Sequence, residues 1–192
     1  RSKGAHSTAF GVRTTAEGIG ATAWGNGTQA TGDYSTAFGN GSVANASNSL
    51  AALGGTTAED AANSLAVGLG AQTTLPDSIA LGSGAVADRA KYDGTDNKYT
   101  AYLGDETGET KTGSAWRSTA NAIAIGHIDT TDDTKSVTRQ IIGVAAGTED
   151  TDAVNVAQLK AATFDMQGIT RTETGTPGEA GYVATTTIEN NL

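Results

Sequence analysis

Few residues of this 192-residue chain are spaced for chemistry. Gly82-Ser83-Gly84 followed by Ala87 partly imitates the glycine fingerprint that seats a dinucleotide pyrophosphate, but the run lies inside a repeat and lacks the strand-helix-strand setting such binding needs. His6 and His127 are far apart, and neither has a His or Cys nearby to complete a metal site. Asp129, Asp132 and Asp133 in HIDTTDDTK offer carboxylates to a cation, yet the glycine and terminal glutamate of a calcium loop are missing, so a solvated acidic loop is expected. Cysteine is absent, which excludes disulfides and thiolate zinc sites. The serines recur in register with small interior residues, so no Ser-His-acid triad emerges. The expectation is a chain without catalysis, cofactor or metal, whose function belongs to its surfaces.

What positions those surfaces is a seven-residue code, Ser/Thr/Ala-x-Ala-x-Gly/Ala. It runs through Ser7-Ala9-Gly11, Thr14-Ala16-Gly18, Ala21-Ala23-Gly25, Thr28-Ala30-Gly32, Ser35-Ala37-Gly39 and Ser42-Ala44-Ala46. Alternation of small residues is the period of a strand, so each unit reads as a short strand and a turn with small side chains on one face. The other face separates two kinds of strand. Odd units carry Thr8/Phe10, Thr22/Trp24, Thr36/Phe38, Leu65/Val67, Ile79/Leu81 and Ile123/Ile125; even units carry Thr15/Glu17, Gln29/Thr31, Val43/Asn45 and Val86/Asp88. One coil is therefore two strands and about fourteen residues, with a single extra residue expected in the fourth coil near Ala52. Asn26-Gly27 and Asn40-Gly41 read as turns that use the left-handed region.

So narrow a coil has room only for Ala, Ser, Thr and Gly inside. At roughly 25 cal/mol per Å² of apolar surface, such an interior does not offset about 1 to 2 kcal/mol of backbone entropy per residue. The stripe through Phe10, Trp24, Phe38, Leu65, Val67, Ile79, Leu81, Ile123 and Ile125 must supply the rest by burial against identical copies about an axis parallel to the roll. Periodicity alone leaves dimer and trimer open. The composition, with 26 glycines, two prolines and 5% aromatics, suits a solenoid with appendages. A net charge of −9 with only 12 scattered Lys and Arg argues against a nucleic-acid partner. No run approaches the roughly 18 apolar residues that span a membrane, no leader precedes Arg1, and the sequence reads as a piece of a longer chain. NGT, NGS and NAS match glycosylation acceptors without a context that gives the match meaning.

The code breaks twice. The breaks divide the chain into repeats at 1–90, an insertion at 91–120, a last repeat and connecting loop at 121–138, a segment of changed period at 139–162, and a helical continuation or second β module at 163–192. The insertion holds Tyr92, Tyr99, Tyr102 and Trp116, and its Asp-Gly and Gly turns predict one or two projecting hairpins. Two roles stay open for these aromatics: packing on a neighbouring subunit, or contacting a ligand. In RQIIGVAAGTEDTDAVNVAQLKA the period changes, and Val156, Leu159, Thr163 and Met166 start a helical seam with Thr151 or Asp152 available as caps. Val156 and Leu159 extend the expected subunit interface. The Gly/Thr-rich tail after Phe164 suits strands and turns better than a coiled coil.

The runs NSLAVG, DSIALG and NAIAIG, followed by DAVNVAQLK, resemble the head and neck of the trimeric autotransporter adhesins, the YadA-like family, over roughly residues 4 to 166. The resemblance implies an all-β fold, a left-handed parallel β-roll of fourteen-residue coils, homotrimeric, followed by a neck and the start of a coiled coil. It implies a passenger outside a Gram-negative cell, anchored through a distant C-terminal barrel in the outer membrane. Phe10, Trp24 and Phe38 depart from the family's smaller aliphatics, and the tyrosine-rich insertion is outside the basic repeat. The reading is an adhesin head whose partners are its own copies and a host matrix protein, cell receptor, glycan or another bacterium, with weak sites multiplied by symmetry. The alternatives are a phage-type trimeric fibre that binds or cleaves glycans, and a passive spacer.

Overall fold

Two parallel sheets stand back to back, one built from the odd strands and one from the even. The computed structural model describes residues 1–92, 114, 115, 117–162, 169–174 and 183–188. It divides into two compact units, Arg1–Ile141 and Ile142–Leu192.

In the first unit the odd sheet runs in the order β1 (Thr8–Val12), β3 (Thr22–Asn26), β5 (Thr36–Asn40), β7 (Leu50–Ala52), β9 (Leu65–Val67), β11 (Ile79–Leu81) and β13 (Ile123–Ala124). The even sheet comprises β2 (Thr15–Ala16), β4 (Gln29–Ala30), β6 (Val43–Ala44), β8 (Thr56–Thr57), β10 (Gln72–Thr73) and β12 (Val86–Ala87). Neighbours in both sheets are one coil apart, and the register holds Phe10 over Trp24 and Trp24 over Phe38. Among the described residues every buried apolar side chain is an alanine, with buried Ser and Thr between them. The interior is therefore as thin as the small-residue code requires, and every larger apolar side chain described lies outside it.

Two turns close each coil. Turn A leads from an odd to an even strand and turn B from an even to an odd one. In turn A the rungs approach so closely that glycine is required: Gly25 sits at φ 143°, and a Cβ there would lie 1.7 Å from the Gly39 carbonyl oxygen. Gly27 and Gly41 take the left-handed conformation while Asn26 and Asn40 end their strands, so the glycine alone bends each Asn-Gly pair. In turn B the left-handed position is held by His6, Gly20, Tyr34, Asn48, Asn63 and Asp77. The serine that follows locks the bend: Ser35, Ser49, Ser64 and Ser78 donate from Oγ to the carbonyls of Gly32, Ala46, Ala61 and Leu75 at 2.6 to 2.7 Å. These serines are turn caps as well as small interior residues.

The fourth coil corrects the expected irregularity. Turn A is shortened there, with Leu53 and Gly54 both at positive φ and a bond from the Gly55 amide to the Ala52 carbonyl. Ala44 consequently pairs with Thr57, and Thr57 with Thr73. Residues are added in turn B, after Thr57, rather than near Ala52. The wider interior takes threonine: Thr57 and Thr73 are buried, each with its hydroxyl 2.9 Å from a turn-capping serine, Ser49 or Ser64.

The insertion leaves the ladder intact. Ile79 pairs with Ile123 across it, because residues at its base are tied together. The Tyr92 amide bonds to Ser118, the Ala122 amide donates to the Arg89 carbonyl, and Asn121 links the Lys91 amide to the Pro76 carbonyl. After the last strand, Arg139 returns to the end of the roll and donates to the Ser83 and Ile125 carbonyls. At Ser83 the guanidinium stands where the amide of a further coil would stand, since Gly84 donates to Leu69 in the coil before.

In the second unit α1 (Val156–Ala162) is capped by Asn155, not by Thr151 or Asp152. Asn155 Oδ1 accepts from the Gln158 amide at 3.0 Å and Gln158 Oε1 accepts from the Asn155 amide at 3.2 Å, a reciprocal capping box. Asp152 instead receives the amides of Thr148 and Glu149. Thr163 and Met166 lie outside the described residues. Strands β14 (Ile169–Thr174) and β15 (Val183–Ile188) form an antiparallel pair.

Candidate functional site

The odd face presents its large side chains to solvent in a single copy. Phe10, Trp24 and Phe38 are 66%, 56% and 46% exposed, and Leu81 and Ile123 are also exposed. Leu65, Val67, Ile79 and Ile125 are half-buried. The aromatic rings stack edge to face at centroid distances of 5.7 and 5.9 Å, a geometry that follows from one-coil register and holds each ring upright from the sheet. Strand pleat places all of them on the face opposite the alanine interior. Val156 and Leu159 are exposed in the second unit, as are Ile142 and Val154.

Sequence reasoning missed the turn-A edge. Val12, Leu53 and Leu69 are 62%, 58% and 74% exposed there, although each falls outside the alternating code that marks strand faces. The signal that finds them is the coil assignment itself. It also missed the role of Asn155 and Gln158. Besides the capping box, Gln158 holds both the amide and the carbonyl of Gly147, and Asn155 Nδ2 donates to the Val144 carbonyl, so the two amides fasten the preceding loop to the helix start.

The even face is polar: Glu17 and Gln29 are exposed, while Thr15, Thr31 and Asn45 are half-buried. Thr31 donates to Asn45 at 2.9 Å, and Lys3 pairs with Glu17. Of the four insertion aromatics, Tyr92 is placed at the base, 4.4 Å beneath the Arg117 guanidinium in a cation-π contact. Tyr99, Tyr102 and Trp116 lie outside the described residues.

The candidates for chemistry are kept apart. His6 lies in a turn-B bend, and His127 exchanges backbone bonds with Val137. Gly82-Ser83-Gly84 is a turn A. Among the described residues no three His, Cys, Asp or Glu side chains group to hold a metal. Asp129 and Asp132 turn inward on their own loop: hydrogen bonds from Thr131, and then from the Asp132 amide, hold the Asp129 carboxyl below its usual range, and bonds from Thr134 and Lys135 do the same for Asp132. Backbone amides of Thr148 and Glu149 lower Asp152 likewise. A groove of about 710 Å³ at the last coil is walled by Val86, Ile123, Ile125, Val137 and the Arg139 side chain. No helix among the described residues is long and apolar enough to cross a membrane.

Comparison with known proteins matches the same segments. The YadA head domain repeat fits residues 2–28, 30–52 and 60–85, and the coiled stalk of trimeric autotransporter adhesin fits residues 140–181. The chain belongs to the trimeric autotransporter adhesins. The head match skips the residues between 52 and 60, where the fourth coil changes its spacing. The stalk match continues beyond α1 into β14. The autotransporter adhesin BadA of Bartonella henselae is 61% identical over 46 residues, 24% of this chain and 1% of that protein. The collagen-binding domain of the Yersinia adhesin YadA is 29% identical, with a TM-score of 0.39 over 83% of this chain and 84% of that one. The fold of this adhesin fragment is an all-β parallel roll of about six coils followed by a neck.

Proposed function

We propose that the chain is one third of an adhesive head. Three copies associate through the odd face, by Phe10, Trp24, Phe38, Leu65, Val67, Ile79, Leu81, Ile123 and Ile125, and through Val156 and Leu159 beyond it. The carrying observation is the contrast between an interior of alanines and a face of exposed large apolar residues. A single copy would leave its main apolar surface in water, and family membership makes the natural complement three copies.

The polar even face and the insertion are then left outward, and they form the adhesive surface. Tyr92, Tyr99, Tyr102 and Trp116 are the ligand-contacting residues in this reading, with a host matrix protein, a cell receptor, a glycan or another bacterium as the partner. Three-fold repetition raises avidity for a weak site. The head works outside the cell, carried by an outer-membrane anchor in the whole protein, and performs no catalysis.

The test replaces residues 93–116 with a short Gly-Ser linker, which keeps the tied base of the insertion. Light scattering should give three chains per particle for both proteins. On an array of matrix proteins, collagen among them, and glycans, the variant should lose binding that the parent shows. Retained binding would move the site to the even face, and a single-chain particle would remove the architecture.

A further inference from the structure

The four flanks of the roll have different chemistry. All six acidic residues between Thr14 and Arg89, namely Glu17, Asp33, Glu59, Asp60, Asp77 and Asp88, fall in or beside turn B. The tips of turn A hold none; they are Val12, Asn26, Asn40, Leu53, Leu69 and Ser83. On the odd face, the outward column nearest turn B is formed by Thr8, Thr22, Thr36, Leu50, Leu65 and Ile79, paired one above the other in the ladder.

These two columns change polarity together. In the second and third coils, Asn26 and Asn40 occupy turn A where Thr22 and Thr36 occupy the column. In the fourth and fifth coils, Leu53 and Leu69 occupy turn A where Leu50 and Leu65 occupy the column. The terminal coils, with Val12 beside Thr8 and Ser83 beside Ile79, do not follow the match. Within one chain the columns are separated by the width of the odd sheet, so nothing local demands the correspondence. Between chains it has a cause. Rotation about an axis parallel to the roll keeps each coil at its own height, and a cyclic contact joins two different surfaces of neighbouring copies.

We propose that the turn-A edge of each copy seats on the Leu50 and Leu65 column of the next copy, coil against equal coil, leaving the acidic turn-B edge in water. The contact rests on the trimer proposed above and deepens it. Leucine meets leucine in the fourth and fifth coils, and amide meets hydroxyl in the second and third. Leu53 and Leu69, exposed in one copy, lose that exposure, and the carboxylates of neighbouring turn-B edges never face one another.

The chain has no cysteine, so paired cysteines report on this contact alone. The double variant Leu65→Cys/Leu69→Cys, oxidised as the full chain, should run as three covalently joined chains under non-reducing conditions. Four residues of near-extended chain separate the two positions by about 12 Å, beyond the roughly 7 Å that a disulfide spans. Leu50→Cys/Leu53→Cys repeats the test one coil away should the first pair impair folding. Leu69→Cys/Asp77→Cys, joining turn A to turn B, should stay unlinked. Three chains by light scattering with no covalent joining in either leucine pair overturns the contact while leaving the trimer; equal joining in the control pair overturns it as well. A single-chain particle overturns both.

Discussion

The fourth coil offers a test of which residue faces inward. A step of fourteen residues from Ala44 reaches Ala58, yet the structure pairs Ala44 with Thr57 and turns Ala58 to the outer face. Because Ser49 donates its single proton to the Ala46 carbonyl, Thr57 must donate to Ser49, and its oxygen accepts from the Asn45 amide at 3.2 Å. The same oxygen accepts from the buried Ala46 amide at 3.5 Å. Replacing Thr57 with valine keeps the volume and removes all three bonds. The Asn45 amide retains the Thr57 carbonyl at 3.3 Å, but the Ala46 amide loses its acceptor. The bonds to Ser49 and Asn45 are worth about 1 kcal/mol each and the orphaned amide about 1 to 3 kcal/mol, so the expected loss is about 2 to 4 kcal/mol, a fall in Tm of about 4 to 16 °C for a chain of this size. Ala58→Val, on the outer even face, should change stability by less than about 0.5 kcal/mol. Thermal unfolding followed by circular dichroism on both variants reads the difference. A neutral Thr57→Val beside an Ala58→Val that costs about 1 to 3 kcal/mol by overpacking would refute the register and restore the fourteen-residue step.

Three further outcomes follow from particular contacts. Trp24→Ala removes the middle ring of the edge-to-face ladder and should raise the concentration needed to hold three chains together, measured by sedimentation equilibrium; an unchanged association would place the odd face outside the interface. Asn155→Ala removes the helix cap and the tie to Val144, and should cost about 1 kcal/mol, read as faster amide exchange at Gln158 and in residues 144–148. The carboxyls of Asp129, Asp132 and Asp152 have folded values below 3.8, so their contribution is fully present above that pH and is lost as pH falls through the lowered values. NMR titration should therefore give midpoints below 3.8 for all three, with the amides of Thr131, Thr148 and Glu149 losing protection in that same acidic window; ordinary midpoints would show that these loops are open in solution.

Much of the roll was legible because a coil this narrow leaves little choice. Ala9, Ala23, Ala37 and Ala16, Ala30, Ala44 alternate with outward residues, and only one fold period satisfies both the alternation and the return of Ser7, Ala21 and Ser35. The large residues between them, Phe10, Trp24 and Phe38, announced an outward apolar face for the same reason. The helix cap was misplaced because Thr151, Asp152 and Asn155 all have capping side chains. Only the loop geometry that gives Asp152 the amides of Thr148 and Glu149 leaves Asn155 to start α1. The tyrosine-rich insertion gave composition without a partner. The structure places its base through Asn121, Ser118 and the Arg117–Tyr92 contact.

By itself the sequence determined the period and the two faces, since these depend on side-chain size and alternation, which are local. The tertiary structure decided what depends on residues brought together across coils: Thr57 rather than Ala58 inside, the serine caps, Arg139 standing in for a further coil, and the gathering of the six acids between Thr14 and Arg89 along one edge. The last of these is invisible along the chain because Glu17, Asp33, Glu59, Asp60, Asp77 and Asp88 share no sequence pattern. They become one edge only when the coils are stacked, since each lies in or beside the bend that returns an even strand to an odd one.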